Sequence, residues 1–433
     1  MRASSTEVSG FQADAAWAQA QDRADPLAWA RDAFELPVHS DGSPIAYFCG
    51  NSLGLLPKAV RPALNAELDR WSQRAVQGYF DEPAPWYSYA QRVRRSLAPV
   101  VGALPEEVAV MNALTVNLHL MLVSFYRPSG RRRKVVIEAA AFPSDGYAVA
   151  SHLETRGVSS DAIVVAAPRP GEATLRSEDL EALLERQGEE IALLWLGGVH
   201  YYTGQLLDLP RLTRAAQRAG CVIGFDLAHA AGNVELKLHD WNVDFAVWCS
   251  YKYLNAGPGS IGACFVHQRH GSDLRLPRYA GWWGNDPALR FQMQSHPQFV
   301  PAPGVDGWQV SSPSILAMAP LRASLELFER AGMAALRAKS LRLTGYLEFL
   351  LGRLGERVRI LTPADPAARG CQLSIAVPGR AESVVAALVQ RGIVTDYREP
   401  DVIRAAPVPL YNTFHEVWRL VDTLGELLGT AVP

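Results

Sequence analysis

From Lys134 onward, short apolar runs recur at Val135–Glu138, Ile163–Ala167, Ile191–Leu196, Val222–Phe225, Phe245–Cys249 and Ala263–Val266. Several are separated by helix-like stretches: Gly146–Thr155, Ser177–Arg186 and Pro210–Ala219. Strands that are apolar along their whole length must be covered on both faces. Alternation with helices therefore predicts an α/β fold with a mostly parallel sheet. In such sheets ligands sit at the carboxyl ends of the strands. The one G-x-G-x-x-G string, Gly257–Gly262, runs into the apolar run Ala263–Val266 and does not open a helix after a strand, which disfavours a nicotinamide- or flavin-binding unit.

The flanks have a different pattern. Residues 11–36 read as helical, and 44–54 as a short strand running into the turn Gly50-Asn51-Ser52-Leu53-Gly54. Residues 57–101 read as mostly helical, interrupted by the Pro- and aromatic-rich loop Gly78–Tyr87. A long helical segment at about 319–353 precedes strand-like runs at 358–362, 372–377, 393–397 and 402–405, with helices at 382–391 and 414–429. This divides the chain into an N-terminal segment (1–60) packing with the small domain, a large domain (61–318) and a small C-terminal α/β domain (319–433).

Charge and composition remove several function classes. A formal net charge of −2 gives no electrostatic support for a nucleic-acid partner. With 48% hydrophobic and 20% charged residues, the chain is not expected to be disordered. Its longest clean apolar stretch, Ile191–Leu196, is too short for a membrane span, and the N-terminus has no apolar signal core. Five scattered cysteines form no C-x-x-C pair, so buried thiols in a reducing, cytoplasmic compartment are expected. No Cys/His spacing suits zinc, and no metal is expected.

Five segments could carry chemistry. Lys252 follows an apolar strand ending in Trp248-Cys249-Ser250, between Tyr251 and Tyr253. A lysine placed near the interior can lose its proton and attack a carbonyl to form a Schiff base; it could equally cap a strand end in solvent. Asp226 directly follows Val222–Phe225, where a carboxylate could hold a pyridinium proton; alone, such an Asp is more often a helix cap. Together, the acid and the amine on two strand ends are the pair a pyridoxal phosphate enzyme needs. Asn112–Asn117 is a polar turn opening a helix-like run, fit for a phosphate or a plain N-cap. Phe142-Pro143-Ser144-Asp145 offers a stacking ring and a carboxylate, or a Pro-turn with its cap. Arg404 ends an apolar strand before Pro407-Val408-Pro409, suiting a carboxylate clamp or an internal ion pair.

The strings YFCGNSLGL (47–55), NALTVNLHLML (112–122), AFPSD (141–145), YYTGQ (201–205), GFDLAHAAGNVELKLHDWNVDFAVWCSYKYLNAGPG (224–259) and IRAAPVPLYNTFHEV (403–417) closely resemble the kynureninase family. The resemblance spans roughly residues 40–430. It implies a fold-type-I pyridoxal 5'-phosphate enzyme, a homodimer with active sites at the subunit interface. It implies hydrolysis of L-kynurenine, 3-hydroxykynurenine or a ring-substituted relative to an anthranilate and L-alanine, as in tryptophan catabolism or NAD biosynthesis. Lys252 then matches the Schiff-base lysine, Asp226 the ring-nitrogen partner, and His229 a cofactor neighbour. Leu114 and Thr115 match phosphate-side contacts. Phe142, with Pro143, Ser144 and Asp145, matches the stacking segment, and Tyr251 a phosphate-bound tyrosine that also relays protons. Trp282 matches a tryptophan given by the neighbouring subunit, Ser312 a residue near the cofactor rim, and Arg404 the substrate-carboxylate clamp. Asn51 and Ser52 are carried over near the substrate.

The chain departs from the family at Trp283 and Asn285, at Ser311–Ser314, at Gly197 (where a Ser is usual) and in the 78–87 loop. These positions touch the cofactor rim and the aryl pocket, so the reaction type is better specified than the ring it acts on. Two other readings are weighed: a β-lyase or aminotransferase of the same fold, and a catalytically idle binding protein. A cofactor-free lysine aldolase leaves Asp226 and the phosphate-like turn unexplained.

Overall fold

The computed structural model describes residues 10–273 and 275–429, so the expectations about the extreme N-terminus lie outside the described residues. A seven-stranded sheet forms the centre: β1 (Val108–Val110), β2 (Lys134–Glu138), β3 (Ile163–Ala166), β4 (Ile191–Gly197), β5 (Val222–Asp226), β6 (Phe245–Trp248) and β7 (Ala263–Val266), in the order β1-β7-β6-β5-β4-β2-β3. Strands β6, β5, β4, β2 and β3 are mutually parallel, and β7 runs antiparallel between β1 and β6. Each of the six apolar runs became a strand within a residue or two of its predicted limits. The three-residue β1 was not predicted; Val-Ala-Val is too short to show a period.

Strands β4, β6 and β7 are buried along almost their whole length, as two-sided cover demands. The helices α1 (Leu114–Phe125), α2 (Pro143–Thr155), α3 (Ser177–Gln187) and α4 (Leu209–Arg218) supply that cover. Against α1, Phe125 stacks on Phe245 with centroids 4.6 Å apart, and Trp195 stacks on the same ring at 5.6 Å. Burying each such aromatic contributes roughly 1.5–3 kcal/mol, which fixes the helix over the sheet.

The predicted helix at 319–353 is two helices, α5 (Ile315–Ala331) and α6 (Met333–Gly352), separated at Gly332 with φ +74°. A left-handed residue ends a helix, and glycine takes that conformation without a Cβ penalty. Beyond them, β8 (Arg359–Ile360), β9 (Leu373–Ala376), β10 (Asp396–Arg398) and β11 (Val402–Ala405) form an antiparallel sheet in the order β8-β9-β11-β10. The final helix α7 (Phe414–Leu427) opens with a Thr413/Glu416 capping box.

Residues 11–36 are less helical than predicted: helices span Ala15–Arg23 and Ala28–Arg31, and Phe34–Glu35 pairs with Leu56–Pro57 instead. The strand expected over 44–54 is only Ala46–Tyr47, paired in parallel with Ile393–Val394. Trp17, Phe11 and Tyr346 cluster beside Phe414, so the N-terminal helix packs on α6 and α7. All five cysteines are free and buried. Among the described residues no helix is long and apolar enough to cross a membrane.

Candidate active site

A cleft opens at the carboxyl ends of β2, β4, β5 and β6, where a parallel sheet presents its ligands. Its empty volume is about 510 Å³. Strand β5 delivers Asp226, and the turn after β6 delivers Tyr251 and Lys252. Lys252 Nζ lies 3.1 Å from His229 Nε2 and 5.7 Å from the centre of the Phe142 ring. Burial holds His229 well below the ordinary imidazole range, and the nearby Lys252 charge acts the same way. His229 is therefore neutral and accepts from the Lys252 ammonium, while its buried Nδ1 has no partner.

The turn carrying Lys252 is set by the N-terminal segment. Gly54 N donates to the Tyr251 carbonyl at 2.8 Å. A Cβ at position 54 would lie 2.4 Å from the Lys252 carbonyl oxygen and 2.3 Å from Asn255 Oδ1, so only glycine permits this approach. The Gly50–Gly54 turn is thus part of the lysine's support.

Asp226 is buried and accepts from Ala228 N at 2.7 Å. The Asp145 carboxyl is a close electrostatic neighbour of Asp226. Burial raises both above the usual carboxylate range; the Asp226 charge raises Asp145 further, whereas Lys252 partly offsets the effect on Asp226. Two adjacent buried carboxyls resist a second charge, and Asp145, raised the more, is the one held neutral. Asp145 Oδ1 is buried without a partner. A third carboxyl, Glu138 at the end of β2, lines the same cleft and was not singled out from the sequence. Its place as the last residue of an otherwise apolar strand was the available signal.

Opposite the carboxyls, α1 and α2 both begin at the cleft. Neither N-cap residue, Ala113 or Phe142, caps its helix with a side chain. Thr115 Oγ1 and Ser144 Oγ lie 2.8 Å apart and tie the two helix starts together. Helix α1 begins at Leu114, earlier than the predicted Leu118, because Asn112 and Asn117 hydrogen-bond to each other and not to the helix start. Pro143 occupies the first turn of α2, where its missing N–H costs nothing. Two uncapped helix starts with adjacent hydroxyls form an anion site.

Arg404 is buried and lies beyond Tyr201, which lines the cleft. Its Nη1 donates to the Tyr201 carbonyl at 2.7 Å, its Nε to Asp396 Oδ1 at 2.7 Å and its Nη2 to Ser52 Oγ at 3.2 Å and to Asp396 Oδ2. Ser52 Oγ also donates to Asp396 Oδ2 at 2.8 Å. Asn51 is buried, donates to Gln372 Oε1 at 3.0 Å and keeps an unpartnered Oδ1. Asp396 and Tyr201 were not singled out from the sequence.

Arg404, Asn51, Ser52, Pro143 and Ser144 are not among the residues that line the cleft, and Trp282 and Ser312 stand apart as well. Trp282 is 38% exposed and packs edge-on against Trp283, and Ser312 is exposed in the loop before α5; neither lines this cleft. Among the described residues one cluster of metal-ligand type occurs elsewhere, Glu107 with His239 and His267. Glu107 already accepts from Leu104 N, Gln268 N and His239 Nδ1, so its oxygens serve the fold.

The cleft fits pyridoxal 5'-phosphate: an anion site, a half-buried amine, a flat aromatic, and an acid pair with an unpartnered oxygen are what its phosphate, aldehyde, ring and ring nitrogen need. A family model described as "Kynureninase C-terminal domain" matches residues 336–424. A kynureninase of Myxococcus xanthus is 53% identical over 96% of this chain and 97% of its own length. One of Monosiga brevicollis is 49% identical over 97% of each chain. Among solved structures, the Escherichia coli cysteine desulfurase CsdA is similar at a TM-score of 0.75 and 19% identity, covering 93% of this chain and 98% of that one. A cystine C–S lyase mutant with glycine covalently linked to its PLP cofactor is similar at a TM-score of 0.73 and 19% identity, over 89% of this chain and 97% of that one. These two establish the fold-type-I architecture, and the near-complete, roughly half-identical relatives settle the lineage: the chain belongs to the kynureninase family.

Proposed function

We infer that this chain hydrolyses L-kynurenine to anthranilate and L-alanine, with pyridoxal 5'-phosphate as its cofactor. The observation that carries the reading is the pairing of one amine, Lys252, with one buried acid, Asp226, on adjacent parallel strand ends. Lys252 would hold the cofactor through its aldehyde, Asp226 would face its ring nitrogen, and Phe142 would cover the ring. Leu114, Thr115, Pro143 and Ser144 would hold the phosphate at the two helix starts. When bound, the cofactor supplies an electron sink for charge that develops on the substrate carbons.

The residues divide the remaining work. Lys252 Nζ moves the α-proton, and neutral His229 accepts from it without adding positive charge. Burial, with the nearby Cys249 adding to it, raises the Tyr251 hydroxyl above its usual range. Tyr251 therefore stays protonated at neutral pH and can donate during hydration of the γ-carbonyl or Cβ–Cγ cleavage. Arg404, with Ser52 and Asn51 beside it, orients the substrate carboxylate.

The altered Ser311–Ser314 segment leaves kynurenine, 3-hydroxykynurenine and a ring-substituted relative as the candidate substrates. We assign a homodimer with shared sites, supported by the exposed Trp282 and Phe291, with Trp282 and Ser312 serving the partner's cleft. We divide the chain at 1–60, 61–318 and 319–433, supported by the separate apolar clusters around the two sheets. Five free buried thiols support a cytoplasmic location.

Product analysis with purified protein, pyridoxal 5'-phosphate and kynurenine tests the reading. Anthranilate and alanine in equal amounts are expected; a keto acid in their place would identify a transaminase.

A further inference from the structure

Three strand ends lie side by side at the floor of the cleft: Glu138 on β2, Gly197 on β4 and Asp226 on β5. Gly197 is the register partner of Asp226. Because position 197 has no side chain, the Glu138 carboxyl lies over it. A Cβ there would be 2.7 Å from Glu138 Oε1, and Gly197 N donates to Glu138 Oε2 at 3.1 Å. Glu138 is 5% exposed, and that N–H is the single hydrogen bond found on its carboxyl. Asp226 and Asp145 face it from β5 and α2, and the other ionisable groups lining the cleft are Lys252, His229, Tyr251 and Tyr201.

We propose that Glu138 is a positioning residue of the cofactor cleft: seated over the bare backbone of Gly197, it stays neutral and fills the space beside Asp226, so that Asp226 is the single anion presented to the ring. The inference rests on the cofactor reading given above. Three adjacent buried carboxylates cannot all ionise, since each charge opposes the next in a poorly solvated site. Asp226 and Glu138 each accept from a backbone N–H, but only for Asp226 does a cation, Lys252, offset burial. Asp226 is therefore the member that keeps its charge. Burial, with the Asp226 charge adding to it, pushes Glu138 up to about 8, against the partial relief of the Gly197 N–H. The geometry makes Gly197 and Glu138 one feature. A larger residue at 197 would displace the carboxyl, and the Glu fills the room that the glycine leaves.

The test uses the full chain, stripped of cofactor and titrated with pyridoxal 5'-phosphate, with binding read by protein fluorescence. Glu138→Gln, which keeps the shape and the neutrality, should bind within about threefold of wild type. Glu138→Ala, which empties the site, should bind at least about tenfold more weakly. The absorption of the loaded wild type should show an alkaline titration step that Glu138→Gln lacks. Glutamine binding as weakly as alanine would mean that Glu138 works through a negative charge, and the proposal would fall. It would fall equally if alanine bound like wild type. Should both variants fail to fold, carboxyl carbon-13 signals of glutamate-labelled wild type decide. A Glu carboxyl titrating above neutrality upholds the inference, and titration of every one in the ordinary acid range overturns it. Wild type that bound no pyridoxal 5'-phosphate at all would instead sink the underlying cofactor reading.

Discussion

Asp396 and Arg404 stand directly opposite each other on the antiparallel strands β10 and β11, and their side chains close on one another with Arg404 Nε 2.7 Å from Asp396 Oδ1. The guanidinium is almost fully buried, and it also reaches Ser52 and the Tyr201 carbonyl. Asp396 thus fixes one edge of the fork, while Ser52 and the carbonyl of Tyr201, a cleft residue, hold the rest of it. Arg404→Ala should lower kcat/KM for kynurenine by about 100-fold or more, since charged, oriented hydrogen bonds of this kind are worth about 2–5 kcal/mol. It should also destabilise the fold by about 1–3 kcal/mol, since Asp396 loses its closest cation and is left with Arg398 and Ser52. Arg404→Lys should restore part of the stability but little of kcat/KM, because an ammonium cannot reproduce the fork. Steady-state kinetics with thermal melting separates the two effects; an unchanged kcat/KM in Arg404→Ala would remove the carboxylate-clamp role.

Lys252 is half-buried, and its amine meets one polar partner, His229. Lys252→Ala should therefore fold, with a melting temperature close to wild type in the absence of cofactor. It should lose turnover and the visible absorption that a covalently held cofactor gives. Activity and absorption both retained after dialysis would show that another amine does this work.

The strands and their strand-end chemistry were legible in the sequence because two-sided burial writes itself as unbroken apolar runs. Asp226 and Lys252 follow such runs directly, so their positions at the sheet's carboxyl edge could be read without coordinates. The small sheet was less legible. Its strands are two to four residues long, and their alternation does not repeat often enough to mark a period. Asp396 went unnoticed for that reason, although Glu399-Pro400 between it and Arg404 marks a turn that places the two opposite each other. Glu138 was hidden differently. As the last residue of the run Val135–Glu138 it stood out only as a charge at a strand end, and its burial depends on the missing side chain of Gly197 on another strand. The local pattern marks the strand end but not that long-range complementarity.

His152 on α2 gives a pH prediction with a definite sign. Burial, with the Arg156 charge adding to it, lowers its imidazole to about 4. Its buried Nε2 has no partner, and its ring packs edge-on against Tyr126. In the unfolded chain the same group takes up a proton near pH 6.5. Between those values the unfolded state binds more protons, so stability falls as pH drops from about 6.5 to about 4. His152→Phe should reduce this acid loss by on the order of 1–2 kcal/mol, allowing for the group's partial contact with solvent. Urea unfolding at pH 7 and pH 5 measures it; equal acid sensitivity in wild type and variant would show that His152 does not contribute.

Gly54 connects the N-terminal turn to the reactive lysine, and its replacement gives a test of that support. A Cβ at this position has no room: the Lys252 carbonyl oxygen and the Asn255 Cα lie 2.4 and 2.8 Å away, and these are backbone atoms that cannot rotate aside. Gly54→Ala must therefore push the two segments apart. Overpacking of this type costs about 1–3 kcal/mol, and the displaced atoms belong to the lysine-bearing turn itself. The variant should melt several degrees below wild type and lose about tenfold or more in kcat, because a shift of an ångström at a reacting group is costly. A neighbouring control, Ser52→Ala, removes a hydroxyl that touches Asp396 and Arg404 but leaves this contact intact. It should raise KM more than it lowers kcat. If Gly54→Ala and Ser52→Ala gave the same kinetic pattern, the turn would act only through the arginine cluster, and its role in placing Lys252 would be lost.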